Sequence, residues 1–104
     1  MGIIAVVLQD ETCSEISQAV QDPDDVIALS ISEFADGGYA CVRFIDPYGD
    51  TIFNPLQAKA MIEEWDRLKQ SFSDHKAETL WADVRALIVR CSEEPHTYLK
   101  FIGD

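Results

Sequence analysis

The feature that most constrains the fold is a pair of apolar stripes at helical spacing in the second half of the chain. The first stripe steps by four, three and four residues, as the buried face of one helix requires. Its members are Met61, Trp65, Leu68 and Phe72. Asn54-Pro55 favours a helix start just before this first stripe. A second stripe covers residues 77–91 in a different phase, after a break near Ser73-Asp74. The two stripes therefore predict a helical hairpin.

Several segments are typical of β-strands. Ile3–Leu8 is a continuous apolar run, which indicates a buried strand. Tyr39–Ile45 and Thr51–Phe53 flank the turn-forming sequence Asp46-Pro47-Tyr48-Gly49-Asp50, so they predict a β-hairpin. Thr97–Ile102 predicts a last strand, which begins after the break at Glu93-Glu94-Pro95.

The segment between residues 15 and 38 is less uniform. Glu15–Val20 alternates polar and apolar residues as a strand does, but its apolar positions also fit a helical face, and both interpretations stay open. Asp22 followed by Pro23 is typical of a capped helix start. An apolar stripe from Val26 to Phe34 continues that helix, and Asp36-Gly37-Gly38 is expected to end it.

These elements predict one α+β domain over residues 1–104, in the order β-(β)-α-β-β-α-α-β. A chain of this length suits a single domain with its own apolar core. Because most strand pairs are predicted hairpins, we expect a mostly antiparallel or mixed sheet of about four or five strands. About three helices are expected to pack on one face of that sheet.

Negative charge is concentrated in the first part of the chain. The whole chain carries a formal net charge of −11, and Arg43 is its first basic residue. Such a field disfavours nucleic acids and anionic membranes, whereas it attracts a basic protein. The residues predicted to bind such a partner are Asp10, Glu11, Glu15, Asp22, Asp24 and Asp25. The alternative is that the acids only keep a small protein in solution.

A second hypothesis is a small enzyme or ligand-binding protein. It would use Arg43, Asp46, Asp50 and His96 as binding or acid–base groups. The residues from Asp46 to Asp50 are also explained as a tight turn, because each residue type there favours one. The chain has no phosphate-binding or nucleophile motif and no metal-ligand spacing. The sequence therefore predicts no catalytic residue, cofactor or metal.

The number and spacing of the cysteines indicate the cellular compartment. Cys13, Cys41 and Cys91 are an odd number and form no C-x-x-C pair, which argues against a disulfide framework. We interpret them as reduced thiols, with Cys41 and Cys91 buried and Cys13 in a polar turn. The apolar run Ile3–Leu8 is too short for a signal peptide or a membrane helix. A cytoplasmic location is expected.

Two segments carry a resemblance to known proteins. These are Arg43-Phe44-Ile45-Asp46-Pro47-Tyr48-Gly49-Asp50-Thr51-Ile52-Phe53-Asn54 and His96-Thr97-Tyr98-Leu99-Lys100-Phe101-Ile102-Gly103-Asp104. They resemble a group of small acidic bacterial proteins with no assigned activity, which implies a bacterial cytosolic origin and no catalytic residues. In size and charge the chain is also similar to immunity proteins that neutralise basic nuclease toxins.

The leading sequence hypothesis is thus a non-enzymatic protein-binding module, of inhibitor or immunity type, that uses the acids of residues 1–42. A third possibility is a homo-oligomer whose function depends on assembly.

Overall fold

A computed structural model describes residues 2–32 and 39–104. Within these residues the sheet has four strands in the order β2-β1-β4-β3, and all neighbours are antiparallel. The strands are β1 Ile3–Asp10, β2 Val20–Gln21, β3 Thr51–Phe53 and β4 Thr97–Gly103. The first and last strands of the chain therefore lie together at the centre of the sheet.

Three α-helices accompany the sheet in the described part of the chain. They are α1 Val26–Ser32, α2 Pro55–Arg67 and α3 His75–Glu93. Short 3-10 helices cover Val42–Phe44 and Lys69–Ser71. The α+β class and the helical hairpin are confirmed. Among the described residues no helix is both long and apolar enough to pass through a lipid bilayer.

Local side-chain hydrogen bonds fix the starts of the two long helices. The Asn54 side chain accepts from the N–H of Gln57 at 2.8 Å, and the Gln57 side chain accepts from the N–H of Asn54 at 2.9 Å. This reciprocal capping box satisfies two donors that a helix start leaves open. Asp74 likewise accepts from the N–H of Ala77 at 2.8 Å at the start of α3. Both predicted starts are therefore confirmed: Asn54 caps its helix as the sequence predicts, and Asp74 adds a cap at the predicted break.

The core lies between the sheet and the helical hairpin. The central strands contribute buried side chains from one face, and α2 and α3 pack over them. The strand residues are Val6, Leu8, Leu99 and Phe101. Trp65 is fully buried, and its indole N–H donates to the carbonyl of Trp81 at 3.0 Å. The indole N–H of Trp81 donates in turn to the carbonyl of Trp65 at 2.8 Å, so the two indoles join α2 to α3.

The predicted strand Tyr39–Ile45 is wrong. The segment contains the 3-10 helix Val42–Phe44 and packs against α2. The buried carboxylate of Glu64 accepts the N–H groups of Cys41 at 3.1 Å and Val42 at 3.0 Å. These backbone donors therefore bond to a helix side chain and not to a neighbouring strand.

The second strand is much shorter than predicted. Of Glu15–Val20, Glu15 makes an isolated bridge to Gln9 and Val20 begins β2. The hydroxyl of Ser17 accepts from the N–H of Leu8 at 3.0 Å. A side-chain oxygen therefore accepts the hydrogen bond that a backbone carbonyl would accept in a regular strand pair. The helical alternative for these residues is not present either.

The first helix also starts later than predicted. It begins at Val26, and Pro23 lies in a turn before it. Asp22 does accept from the first N–H groups of the helix, as a capping residue should. The predicted continuation to Phe34 and the predicted stop at Asp36-Gly37-Gly38 lie outside the described residues.

Candidate functional site

The predicted acidic surface is divided between the two ends of β1. Asp10 ends this strand and Glu11 follows it, whereas the N–H of Asp22 donates to the carbonyl of Ile4 near its start. The strand between Ile4 and Asp10 is about 20 Å long. Among the described residues, the acids predicted to bind a partner therefore do not form one continuous patch.

One group of acids surrounds the end of β1. The side chain of Asp10 is engaged in hydrogen bonds within its own turn, because its Oδ1 atom accepts from the hydroxyl of Thr12 at 2.6 Å and from the N–H of Ser14 at 3.1 Å. These bonds, with that from the Thr12 hydroxyl the strongest, hold the pKa of Asp10 below its usual range. Glu11 lies 3.2 Å from the Nδ1 atom of His96. Glu15 is exposed beside them.

The pairing of β1 with β4 adds two acids to this end. Because Asp10 is opposite Thr97, the residues just before β4 lie close to those just after β1. Glu93 and Glu94 shortly precede His96, which lies against Glu11, although Glu94 is paired with Arg90 at 2.7 Å, and the predicted partner site did not include either of them. The sequence does contain a signal for this arrangement. One acidic segment follows the first predicted strand and the other precedes the last, and these two ends meet if the strands pair antiparallel.

Asp22 is not a surface residue, which corrects its place in the predicted partner site. Its side chain is 1% exposed, and its two carboxylate oxygens accept from the N–H groups of Val26 at 2.9 Å and Ile27 at 2.8 Å. Burial raises the pKa of Asp22 above its usual value, although the two backbone bonds act in the opposite direction. Asp22 therefore supports α1 and is not available to a partner.

Asp24 and Asp25 line a groove of about 410 Å³ at the other end of the molecule. We call it the α1 groove, and its lining residues are Gly2, Asp24, Asp25, Ala28, Leu29, Pro47 and Tyr48. The side chains of Leu29 and Tyr48 are 69% and 65% exposed. The groove thus combines two large apolar side chains with two carboxylates, and none of its lining residues is basic.

Backbone contacts hold the two sides of the α1 groove together. The carbonyl of Pro47 accepts from the N–H of Gly2 at 3.3 Å and from that of Asp104 at 3.1 Å. A Cβ atom on Gly2 would lie 2.7 Å from the Oδ1 atom of Asp25, and the φ angle of Gly2 is +125°. A glycine is therefore required where the start of β1 passes beside α1.

The four residues of the ligand-binding alternative do not share a pocket. The guanidinium of Arg43 lies 4.7 Å from the ring centroid of Phe44. Asp46 accepts from the N–H of Tyr48 at 2.9 Å within the turn, and Asp50 lies 3.5 Å from the ammonium group of Lys100.

His96 is the most distant of the four. It directly precedes β4, whereas the turn at Asp46 contacts Gly103 at the other end of that strand. The length of β4 places these two ends about 20 Å apart. The geometry therefore gives no support to a shared ligand site.

The three thiols have the predicted environments. Cys13 is exposed, whereas Cys41 and Cys91 are buried. Burial raises the pKa of Cys91 to about 11, and its thiol donates to the carbonyl of Thr97 at 3.3 Å. Burial and the neighbouring Glu64 also raise the pKa of Cys41. Both buried thiols are therefore poor nucleophiles at neutral pH.

The described residues contain no group of three or more His, Cys, Asp or Glu side chains arranged to hold a metal ion. No family model, curated protein or solved structure matches this chain. The resemblance to small acidic bacterial proteins stays a prediction.

Proposed function

We propose that this protein is a non-catalytic binding module whose α1 groove takes a basic segment of a partner protein. The observation that carries this proposal is the combination of Leu29 and Tyr48, both largely exposed, with the carboxylates of Asp24 and Asp25 in one groove. Exposed apolar side chains next to charges of one sign are typical of protein-binding surfaces.

The apolar side chains and the carboxylates have different roles in this proposal. Tyrosine is enriched among residues that dominate interface energies, because its ring buries a large area with little loss of side-chain freedom. Tyr48 and Leu29 therefore supply affinity. Asp24 and Asp25, supported by the net charge of −11, speed the encounter with a positive partner and disfavour acidic ones. An inhibitor or immunity-type role against a basic enzyme has this chemistry.

Binding of short labelled peptides, measured by fluorescence polarisation, tests the proposal. The probe is a lysine-rich peptide that carries one tryptophan, and its glutamate-rich counterpart serves as the reference. We expect the basic peptide to bind and its affinity to fall as ionic strength rises. Equal binding of the acidic peptide, or binding that ignores ionic strength, would contradict the proposal.

Matched variants locate the binding surface. Asp24→Asn with Asp25→Asn removes two charges from the α1 groove, and Glu11→Gln with Glu15→Gln removes two at the opposite end of β1. Asparagine suits position 25, where φ is +55°. Tyr48→Ala is compared with Phe44→Ala, because Phe44 is 61% exposed but does not line the groove. We expect only the groove variants to weaken binding strongly, and equal losses in both pairs would exclude this site.

A further inference from the structure

A second groove, of about 520 Å³, lies between β2 and α3. Residues 18–21 form one wall, and residues of α3 form the other. The α3 residues are Lys76, Thr79, Leu80, Asp83 and Ala86. This β2–α3 groove shares no lining residue with the α1 groove, and it contains charges of both signs.

The wall formed by β2 presents a free strand edge. The N–H of Asp22 donates to the carbonyl of Ile4. The pair Val20 and Val6 lies two residues further along the two strands from the pair Asp22 and Ile4. In an antiparallel pair, hydrogen-bonded and non-hydrogen-bonded positions alternate. Gln21, between them, therefore directs its N–H and C=O away from β1. Because β2 is at the edge of the sheet, no described strand lies on that side.

The α3 wall presents two separate charges to the same space. Lys76 and Asp83 are exposed, and neither forms an ion pair with a described residue. They are two helical turns apart, or about 10 Å along α3. An extended chain places side chains on the same face about 7 Å apart, so two such side chains can reach both charges.

We infer that the β2–α3 groove binds an extended segment of a partner polypeptide, which adds to β2 as a further strand. One residue of that segment exchanges hydrogen bonds with Gln21. Flanking side chains on the α3 side pair with Lys76 and Asp83, so the segment carries one acidic and one basic residue. In strand addition, backbone bonds supply affinity and alternate side chains supply specificity. The mixed charge distinguishes this segment from the basic partner proposed for the α1 groove.

NMR titration of the full chain with a defined peptide tests the inference. The probe is a short peptide of alternating valines that carries one glutamate and one lysine on the same face. We expect its largest amide shift changes at residues 18–21 and along the groove side of α3. The same peptide, N-methylated at its central residue, cannot donate to the Gln21 carbonyl. We expect it to bind about tenfold more weakly, as loss of a backbone bond and steric hindrance require.

Two matched pairs of variants test the α3 wall. Lys76→Glu is compared with Lys59→Glu, which makes the same charge change on exposed α2 surface. Ala86→Leu fills the groove and is compared with Ala82→Leu, which is exposed on α3 outside it. We expect Lys76→Glu to weaken binding up to about fivefold, as an exposed ion pair allows, and Ala86→Leu to weaken it further.

Four results would overturn the inference. They are absence of binding at millimolar peptide, shift changes confined to other surfaces, equal binding of the N-methylated peptide, and equal effects within either variant pair. A concentration-dependent dimer that shifts residues 18–21 without peptide would also overturn it, because a second copy of the chain would then occupy the edge.

Discussion

The start of α1 and the segment at residues 39–45 both depend on a buried carboxylate, but the two carboxylates come from different distances along the chain. Asp22 accepts N–H groups from residues four and five positions ahead of it. Glu64 accepts N–H groups from residues 22 and 23 positions behind it. Both side chains are less than 5% exposed.

The difference explains why the capping role of Asp22 could be predicted and the structure of the 39–45 segment could not. Asp22 next to Pro23 is a local pattern, and it predicts a cap without knowledge of the fold. Glu64 lies beside Trp65 in a helical pattern and has no local sign that it will be buried. The β-forming residues of the 39–45 segment predicted a strand, because nothing nearby showed that a remote carboxylate would take its N–H groups. Tertiary contacts overrode propensity there.

The largest expected effect is from the long-range carboxylate. Glu64→Ala leaves the buried N–H groups of Cys41 and Val42 without an acceptor and opens a cavity under α2. We expect a loss of about 3 kcal/mol in the free energy of unfolding, measured by urea denaturation. Glu64→Gln keeps one acceptor oxygen and should lose less, about 1 kcal/mol. Equal losses for the two variants would contradict this expectation, because the retained acceptor oxygen would then give no benefit.

Thiol labelling of the same variants shows whether the damage is confined to this region. In the native protein only Cys13 is exposed, so one thiol should react quickly with a disulfide reagent. Glu64→Ala should also make Cys41 reactive, because its segment is no longer held against α2. Cys91 lies on the buried face of α3 and should stay protected. Simultaneous exposure of both buried thiols would indicate global unfolding and not local release.

The local carboxylate is expected to have a smaller effect. Asp22→Ala removes the acceptor for the first two N–H groups of α1, and loss of such a cap costs about 1 to 2 kcal/mol. These N–H groups are near the end of a short helix, where water can replace part of the lost bonding. Urea denaturation measures the loss, and Cys41 should keep its slow reaction. If Asp22→Ala cost more than Glu64→Ala, the ranking of local and long-range bonds would be wrong.

The raised pKa of Asp22 predicts a further, smaller effect on the pH dependence of stability. Because burial makes the folded state bind this proton more tightly than the unfolded state, ionisation of Asp22 disfavours folding. This contribution to the free energy of unfolding is therefore fully present below the unfolded pKa of 3.8, and is lost as pH rises through the higher folded pKa. Asp22→Asn has no such proton. The difference in stability between the native protein and this variant should change across that range, and a constant difference would contradict the assignment.

The same distinction between local and remote contacts limits how much of the fold and site could be predicted. The helical hairpin was predictable because its apolar stripes, its helix caps and the break between its helices each depend on residues close together in the sequence. The caps at Asn54 and Asp74 are examples, since each bonds to an N–H group three residues ahead. The α1 groove was not, since Tyr48 and Leu29 line one groove only after the turn and the first helix are brought together. Composition identified the acids but not their division between two ends, which is decided by the pairing of β1 with β4.

The smallest expected effect is from a long-range contact that is not buried. The Nε atom of Arg85 on α3 lies 2.6 Å from the carboxylate of Asp66 on α2, but their side chains are 36% and 44% exposed. Water and salt screen such a pair, so Arg85→Ala should cost only about 0.5 kcal/mol. The hydrogen bond from Arg85 lowers the pKa of Asp66, so its contribution is present above the unfolded pKa of 3.8 and is lost as pH falls through the lower folded value. Urea denaturation between pH 7 and pH 3 should therefore show the Arg85→Ala deficit shrinking on acidification, with a sign opposite to that of Asp22. A deficit as large as that of Glu64→Ala would mean that distance along the chain, and not burial, determines the size of these effects.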